Sequence, residues 1–444
     1  MMISTTLFFV VLMCSCVTGL FFPEGGVAAQ RCETWAARMI SLQGMVDVQK
    51  FGSREWISAK RNDTFCPGDK IRVREKSRAL LALADQPLVR LDQNSVIILS
   101  REEINTGSLI ELLRGAAHFF SRFPKQLRVK TAFINAGVEG TEFVIASDEQ
   151  KTNITVFEGR IIAMNEHGSL TLTDNMSASA GPDHPPMEIL SVHPRDAVQW
   201  ALYYPSLGPT NPWDCQLTMG GNGRERVACS SFLLSVGRVD EARSMLEGVE
   251  INSPEHAEAL ALASIIAIAE DKKDKALFLA EMASEQQPES TSILLALSYA
   301  LQASFLLPQA LEVTKRAASI EPENVIILAR LAELHSANDQ IEDAETAARR
   351  AVELNPDWAR SHVVLGFIAL LRGNSDTALP LFRRAIVLDQ SDPMARFGLG
   401  LTRIRQGALE EGRKHLETAA ALDPGSSLLR SYLAKAYFEE SLDA

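Results

Sequence analysis

The chain has 444 residues, 46% of them hydrophobic, and a formal net charge of −12. Because a single hydrophobic core stops growing at roughly 250 to 300 residues, this length predicts two or three domains. The acidic balance and the lack of a Lys and Arg cluster argue against nucleic acid as a partner, since phosphate binding needs clustered cations.

The first residues have the pattern of a targeting segment. The run from Ile3 to Phe22 is almost wholly apolar, Pro23 ends it, and residues 27–29 are the small residues that signal peptidases prefer. We expect residues 1–29 to be a signal peptide that is cleaved after Ala29. Two alternatives stay open: residues 3–22 as an uncleaved membrane anchor, and Cys16 as a lipoprotein site. All three place the protein in a bacterial cell envelope, either periplasmic or secreted.

Cysteine usage agrees with export. Without the targeting segment the chain keeps Cys32, Cys66, Cys215 and Cys229, an even number that predicts two disulfides in an oxidising compartment. Proximity along the sequence favours Cys32 with Cys66 and Cys215 with Cys229, although four cysteines allow three connectivities. No CxxC or HxxxH spacing accompanies them, so we expect no zinc, no other metal and no cofactor.

Residues 30–180 have the pattern of an all-β domain. Apolar residues alternate at 45–48 and 71–74, and further short apolar runs continue to Leu172 with turn residues between them. Such close spacing suits a sandwich, a barrel or a solenoid of short strands.

Several motifs within this domain occur in a recognisable order. They are CPGDKIRV at residues 66–73, GVEGTEF at 137–143 and the strand and turn at 156–159. In this order they resemble the FecR domain family. Classical members carry an anti-sigma helical segment ahead of a membrane span, and no such segment is expected before Ile3. The resemblance therefore implies a binding or positioning module, with an envelope signal-sensing regulator as the alternative.

The glycines of these motifs have a predicted structural role. Gly137, Gly140 and Gly159 are expected at tight connections between strands, where glycine accepts a positive φ without a Cβ clash.

Residues 181–222 are predicted to be a linker. Gly181-Pro182 and Pro185-Pro186 cannot pair as central strands. Within it, residues 196–204 (DAVQWALYY) predict a short helix that packs the following domain against the β domain. Asn222, followed three residues later by Glu225, predicts a capping box at the start of a longer helix.

The second half of the chain has a period of 34 residues. Proline recurs in this register at 254, 288, 322, 356 and 424, and alanine recurs in two columns, at 242, 276, 310, 344 and 378 and at 283, 317, 351, 385 and 419. These features resemble the tetratricopeptide repeat (TPR), whose paired helices approach closely at small residues. Residues 223–444 are thus expected to form six repeats, starting near 223, 257, 291, 325, 359 and 393, and one further helix from Ser427.

The TPR resemblance implies a concave groove lined by helix A positions two, five, nine, twelve and thirteen of each repeat. In repeats five and six these positions are Arg360, Val363, Phe367, Leu370, Leu371, Met394, Phe397, Leu401, Ile404 and Arg405. An apolar wall with arginines at its rim predicts a groove for a protein or peptide. The alternative is that several of these side chains pack between neighbouring helices.

The predicted fold is an all-β FecR-like domain followed by an all-α TPR superhelix, and the predicted function is a non-enzymatic scaffold. The sequence has no GxSxG, HExxH or Walker loop, and its eight histidines show no metal spacing. An enzyme with a site in the interdomain cleft is a further alternative. Self-association is also expected through the helix at 427–440, which has apolar residues around much of its circumference: Leu429, Tyr432, Leu433, Ala436 and Tyr437.

Overall fold

The structure is a computed structural model of the chain. It describes residues 32, 34–84, 87–101, 109–121, 127–189, 197, 199, 201–210, 215 and 221–443. The targeting segment predicted at 1–29 lies outside these residues, as do positions 196, 198 and 200 of the short helix predicted at 196–204.

The first part of the described chain forms one sheet of fifteen strands. Their bounds are β1 Ala37–Gln43, β2 Val46–Gln49, β3 Trp56–Ser58, β4 Thr64–Phe65, β5 Lys70–Val73, β6 Arg78–Leu83, β7 Leu88–Leu91, β8 Val96–Leu99, β9 Leu109–Phe120, β10 Leu127–Lys130, β11 Asn135–Ser147, β12 Thr152–Asn165, β13 Gly168–Leu172, β14 Ser177–Ala180 and β15 Met187–Ile189. The sheet reaches beyond residue 180. Strand β15 lies inside the stretch predicted as linker and pairs with β14, which ends at residue 180.

The longest strands form the centre of the sheet. Strand β11 pairs antiparallel with β12 along its length and with β9 along its second half, while β10 fills the space between β9 and the first half of β11. Alternating side chains of these strands enter a core in which Phe119 and Phe143 stack with ring centroids 4.7 Å apart. The period of two in the sequence therefore separates one buried face from one outer face.

Two of the three motif glycines have the positive φ that the sequence pattern predicts, but none of the three lies at a connection between strands. Gly140 lies inside β11 and Gly159 inside β12, with φ values of +60° and +97°, at the irregularity where the two strands change register. Gly137 also lies inside β11, where it pairs with Arg128, and its φ is not positive. The expectation of tight connections between strands at these glycines is therefore wrong.

The second part of the described chain forms thirteen helices. They are α1 Gly223–Ser235, α2 Val239–Glu247, α3 His256–Ala269, α4 Lys273–Gln286, α5 Thr291–Ala303, α6 Leu307–Ile320, α7 Val325–Ala337, α8 Ile341–Leu354, α9 Ala359–Leu371, α10 Ser375–Leu388, α11 Pro393–Arg405, α12 Leu409–Leu422 and α13 Ser427–Asp443. The capping box is confirmed, since the Asn222 side chain accepts from the Glu225 N–H and the Glu225 side chain accepts from the Asn222 N–H. No helix among the described residues is both long enough and apolar enough to span a membrane.

The alanine columns are the closest contacts between paired helices. All ten of these alanines have no exposed surface. Gly412 continues the first column, and a Cβ at that position would come within 2.5 Å of Ile404 Cγ1 and 2.8 Å of the Gly400 carbonyl oxygen. A larger side chain in these columns would force paired helices apart, which typically costs about 1–3 kcal/mol.

Candidate partner-binding site

Part of the predicted groove is covered by the β domain. Phe397 is buried in a cluster with Leu80 of β6, Leu88 of β7 and Phe120 of β9. Four more groove residues pack on this cluster: Phe367, Met394, Leu401 and Ile404. We call these contacts the docking cluster. It places the face of β6, β7 and β9 against the inner wall of repeats five and six.

The remaining predicted groove residues have separate environments. Val363 and Leu370 are buried between helices α9, α10 and α11, and the Arg405 guanidinium donates to the Leu370 carbonyl oxygen at 2.6 Å. Leu371 is 62% exposed. Arg360 belongs to the polar cavity described below. Peptide binding by this set of ten residues stays a prediction.

Two arginines of the β domain, the buried Arg90 and the half-buried Arg61, also bind the ends of helices. The Arg90 guanidinium donates to the Ala421 carbonyl oxygen at 3.1 Å and to that of Leu422, at the carboxyl end of α12. The Arg61 guanidinium donates to the Ile386 carbonyl oxygen in α10 at 2.8 Å. The last carbonyls of a helix lack partners within the helix and carry partial negative charge, so these cations stabilise the docked arrangement.

A carboxylate bridges the β domain and the last helix. Glu142 of β11 accepts two hydrogen bonds from the guanidinium of Arg430 in α13, both at 2.7 Å, and lies 3.1 Å from His118 Nε2 in β9. Burial by itself would raise the pKa of Glu142, but the hydrogen bonds and charges of His118 and Arg430 outweigh it and hold this pKa well below the usual 4.5. The carboxylate is therefore ionised at neutral pH and acts as a structural anion.

An open cavity of about 320 Å³ lies on the same inner surface, in repeats three to five. It is lined by side chains at the inner positions of helix A: Tyr299 at position nine of repeat three, Ile326, Ala329 and Glu333 at positions two, five and nine of repeat four, and Arg360 at position two of repeat five. Tyr203, Pro205 and Ser206 of the connecting segment close one side. We call it the polar cavity.

A chain of ion pairs holds the wall of the polar cavity. Glu333 accepts from Arg360 Nε at 2.6 Å and pairs with Arg330 at 3.0 Å, while Arg360 also pairs with Asp392 at 3.1 Å. Arg330 is itself fixed over the ring of Tyr299, at 3.9 Å from the centroid. Burial by itself would raise the pKa of Glu333, but the two arginines outweigh it and hold this pKa below its usual value, so Glu333 is ionised at neutral pH.

Further groups in the cavity are able to contact a ligand. Asp392, the N-cap of α11, has a pKa raised by burial and by the nearby Asp389, against the opposing charge of Arg360. The indole Nε1 of Trp358, which lines the same space, has no hydrogen-bond partner within the described chain. Because Trp358 Nε1 is itself buried, the cavity offers a ligand aromatic surface and carboxylates.

The cavity and the docking cluster are neighbours. Asp392 lies in the wall of the cavity, and Ser391 beside it accepts a hydrogen bond from the Gln43 side chain of β1 at 2.9 Å. Met394, two residues further along, belongs to the docking cluster. One turn, between α10 and α11, thus contacts both the β domain and the open part of the groove.

The four cysteines among the described residues are oxidised. Cys215 is bonded to Cys229 of α1, with Cα atoms 4.7 Å apart, in the pairing that sequence proximity favours. Cys32 and Cys66 are also disulfide-bonded. Disulfides suit an oxidising compartment. Within the described residues no group of three or more His, Cys, Asp or Glu side chains is arranged to hold a metal ion.

The sequence pattern was able to locate one part of the polar cavity. Tyr299 and Glu333 occupy the inner position nine of repeats three and four, so the rule used for repeats five and six also selects them. Tyr203 and the turn residue Asp389 carry no such signal, because their place in the cavity depends on the path of the connecting segment and on the stacking of the repeats.

Two family models match the chain. The FecR protein model matches residues 69–161, and the tetratricopeptide repeat model matches residues 329–393 and 369–427. The first match covers strands β5 to β11 completely, and the second covers helices α8 to α12. The chain therefore joins a FecR-type β domain to TPR repeats. No curated protein is significantly similar to it.

Solved structures resemble parts of the chain. A thermophilic TPR protein from Thermus thermophilus is 23% identical over 41% of this chain and 99% of its own, with a TM-score of 0.38. An anti-sigma-factor-like protein from Parabacteroides distasonis is 18% identical over 31% of this chain and 67% of its own, with a TM-score of 0.28. YrrB, a TPR protein with an unusual peptide-binding site, is 19% identical over 40% of this chain and 92% of its own, with a TM-score of 0.28.

Proposed function

We propose that the protein is a non-enzymatic scaffold of the bacterial cell envelope that binds a protein or peptide partner on the concave surface of its TPR repeats. The observation that carries this proposal is the polar cavity, which stays open on the inner helix A positions while the docking cluster covers the wall beside it. The FecR-like domain then acts as a positioning module that is fixed against repeats five and six.

The chemistry of the cavity supports partner binding better than catalysis. Glu333, Arg330 and Arg360 neutralise one another in fixed ion pairs, so these groups shape a surface and are poorly suited to exchange protons with a substrate. Tyrosine, tryptophan and arginine are the side chains that most often dominate the energy of protein interfaces. TPR and FecR domains are also typically non-enzymatic.

Filling the cavity tests the proposal. Ala359 is half-buried in the cavity wall, and Ala359→Trp should occupy space that a partner side chain needs. Full-length protein would be used to capture partners from envelope extracts, with quantitative mass spectrometry of the captured proteins. We expect Ala359→Trp to reduce specific capture at least about tenfold, which corresponds to about 1.4 kcal/mol.

The matched control is Ala337→Trp, an exposed position at the end of α7. It should capture the same proteins as the native chain. Equal capture by Ala359→Trp and the native protein, with unchanged helical circular dichroism, would remove the cavity from the proposal.

A signal-sensing regulator of FecR type is the second candidate, and the FecR match at residues 69–161 favours it. A regulator changes transcription when it is deleted, whereas a scaffold changes the assembly or the abundance of its partner. Transcript profiles of a deletion strain, compared with a strain carrying Ala359→Trp, distinguish the two.

A further inference from the structure

The outer face of the β domain has a groove of about 690 Å³ that the docked helices do not use. Its centre is one row of paired residues across four strands: Leu109 of β9, Arg128 of β10, Gly137 of β11 and Ile162 of β12. The next row on the same face has Glu111, Lys130, Asn135 and Met164. We call this groove the basic trough.

Gly137 makes the trough deep. A Cβ built on Gly137 would have no heavy atom within 4 Å, so open space lies directly above the backbone there. Ile162 and Met164 border this space and are 44% and 43% exposed. The floor is therefore an apolar surface that lacks a side chain at its centre, and it can accept a bulky apolar side chain from outside.

The rim of the trough is positively charged. The described residues that line it include Arg128, Lys130 and Arg160 and no acidic residue. Lys130 pairs with Glu111 at 3.1 Å, whereas Arg128 and Arg160 make no ion pair within the described chain. This local excess of positive charge occurs on a protein whose net charge is −12.

We propose that the basic trough binds an extended acidic peptide segment, with one apolar side chain over Gly137 and carboxylates against Arg128 and Arg160. Four strands spaced about 4.8 Å apart make the trough about 14 Å wide, which accommodates about four or five extended residues. An anionic membrane is a poorer occupant. Three cations contribute about 1 kcal/mol each to binding at an anionic bilayer surface. The net negative charge of the rest of the chain opposes the approach of the protein to such a surface.

A random dodecamer peptide library, selected on the full-length protein at low salt, tests the proposal. We expect the selected peptides to be enriched in Asp or Glu within a few positions of Leu, Ile or Phe. Synthetic copies should bind more weakly as salt rises, because ions screen exposed charges over about 10 Å at 0.1 M. Gly137→Trp should abolish their binding, and Arg128→Glu with Arg160→Glu should weaken it at least about tenfold.

Matched controls distinguish a site from a general effect. Gly208→Trp places the same side chain at another open glycine, and Arg224→Glu with Lys275→Glu reverses two exposed cations in the first turns of α1 and α4. Both controls should bind the peptides like the native protein, and so should Ala359→Trp, which separates this site from the polar cavity. Thermal unfolding of each variant verifies that it is folded.

Three results would overturn the proposal. The first is a selection without acidic enrichment. The second is selected peptides that bind folded Gly137→Trp as well as the native chain. The third is binding to phosphatidylglycerol vesicles that depends on Arg128 and Arg160 when the selected peptides do not bind.

Discussion

At the residue scale, one group of buried charges lies where the two domains meet. Glu142 and His118 have 2% and 0% of their side-chain surface exposed, and Arg430 has 23%. A buried ion pair contributes little net stability by itself, but removing one partner leaves the other charge uncompensated and is costly. The Glu142–Arg430 contact therefore favours one docked position of the sheet on the last helix.

Removing the Arg430 charge should destabilise the protein. Arg430→Met keeps most of the side-chain volume and removes the guanidinium that pairs with Glu142, so we expect the free energy of unfolding at pH 7 to fall by about 2 kcal/mol, less than for a fully buried pair because Arg430 is partly exposed. Arg349→Met, which removes an exposed pair with Glu345, should change it by less than about 0.5 kcal/mol. Urea unfolding measures both values.

The pH dependence has a definite sign. The pKa of Glu142 is lower in the folded protein than its usual 4.5. The stability that ionised Glu142 contributes is therefore fully present above pH 4.5 and is lost as the pH falls toward its lower pKa in the folded protein. In Arg430→Met the loss of stability between about pH 5 and pH 3 should be shallower. Parallel acid profiles for variant and native protein would contradict the role assigned to the pair.

Single residues also set the limits of sequence-based prediction. The stretch GVEGTEF contains two glycines that the sequence alone does not distinguish. In the structure Gly140 has a positive φ, whereas Gly137 lies in a regular strand beneath an open groove. That difference depends on which neighbours the sheet places above each position, and these neighbours come from β10 and β12.

At the element scale, the helices were the most predictable part of the chain. Repeat starts predicted at 223, 291, 325, 359 and 393 are the first residues of α1, α5, α7, α9 and α11, and α3 starts one residue before the predicted 257. Each unit is specified by local features, namely a small residue at each close contact and a proline two residues after α4, α6, α8 and α12. Such signals survive without knowledge of the tertiary fold.

The sheet was predictable only as a set of strands. Strand β10 lies between β9 and β11 and pairs parallel with β9, and β5 pairs with β2 and β8. Alternating hydrophobicity determines the buried face of each strand but not its neighbours, because pairing depends on contacts between residues distant in the sequence. The docking of this sheet on repeats five and six was not predicted for the same reason.

The last helix has a different exposed face from the one expected. Leu429, Leu433 and Ala436 are at most 4% exposed in the docking cluster, whereas Phe438 and Leu442 are 63% and 69% exposed. Self-association through α13 is therefore expected to depend on this second pair.

Light scattering over a wide concentration range tests the association. We expect concentration-dependent dimerisation of the native chain that Phe438→Lys with Leu442→Lys abolishes, because charges on an apolar contact surface must be desolvated when it closes. Phe305→Lys with Ile251→Lys, two residues 80% and 76% exposed elsewhere, should leave it unchanged. A native chain that stays monomeric throughout would contradict association through this helix.

At the scale of the whole molecule, the TPR groove holds part of its own chain. The docking cluster joins Leu80, Leu88 and Phe120 of the sheet to Phe397, and Phe397 also contacts the rings of Phe367 and Tyr432 at 5.9 and 5.1 Å. Any partner that uses these groove residues must first displace the β domain. The polar cavity requires no such displacement, so the two parts of the groove differ in accessibility.

A charge in the docking cluster should therefore separate the domains. Phe397 is 4% exposed, and Phe397→Glu would bury an unpaired carboxylate that costs several kcal/mol unless the sheet moves away. We expect an increased radius of gyration in small-angle X-ray scattering and two thermal transitions where the native chain has one, with helical circular dichroism largely retained. Phe278→Glu, at a position in α4 that is 60% exposed, should change none of these.

If Phe397→Glu keeps the native radius and a single transition, the sheet is held by the arginine contacts to α10 and α12 and by Glu142 without help from the cluster. If it instead loses its helical signal, Phe397 stabilises the repeats themselves. Either result would contradict a domain contact that depends on this cluster.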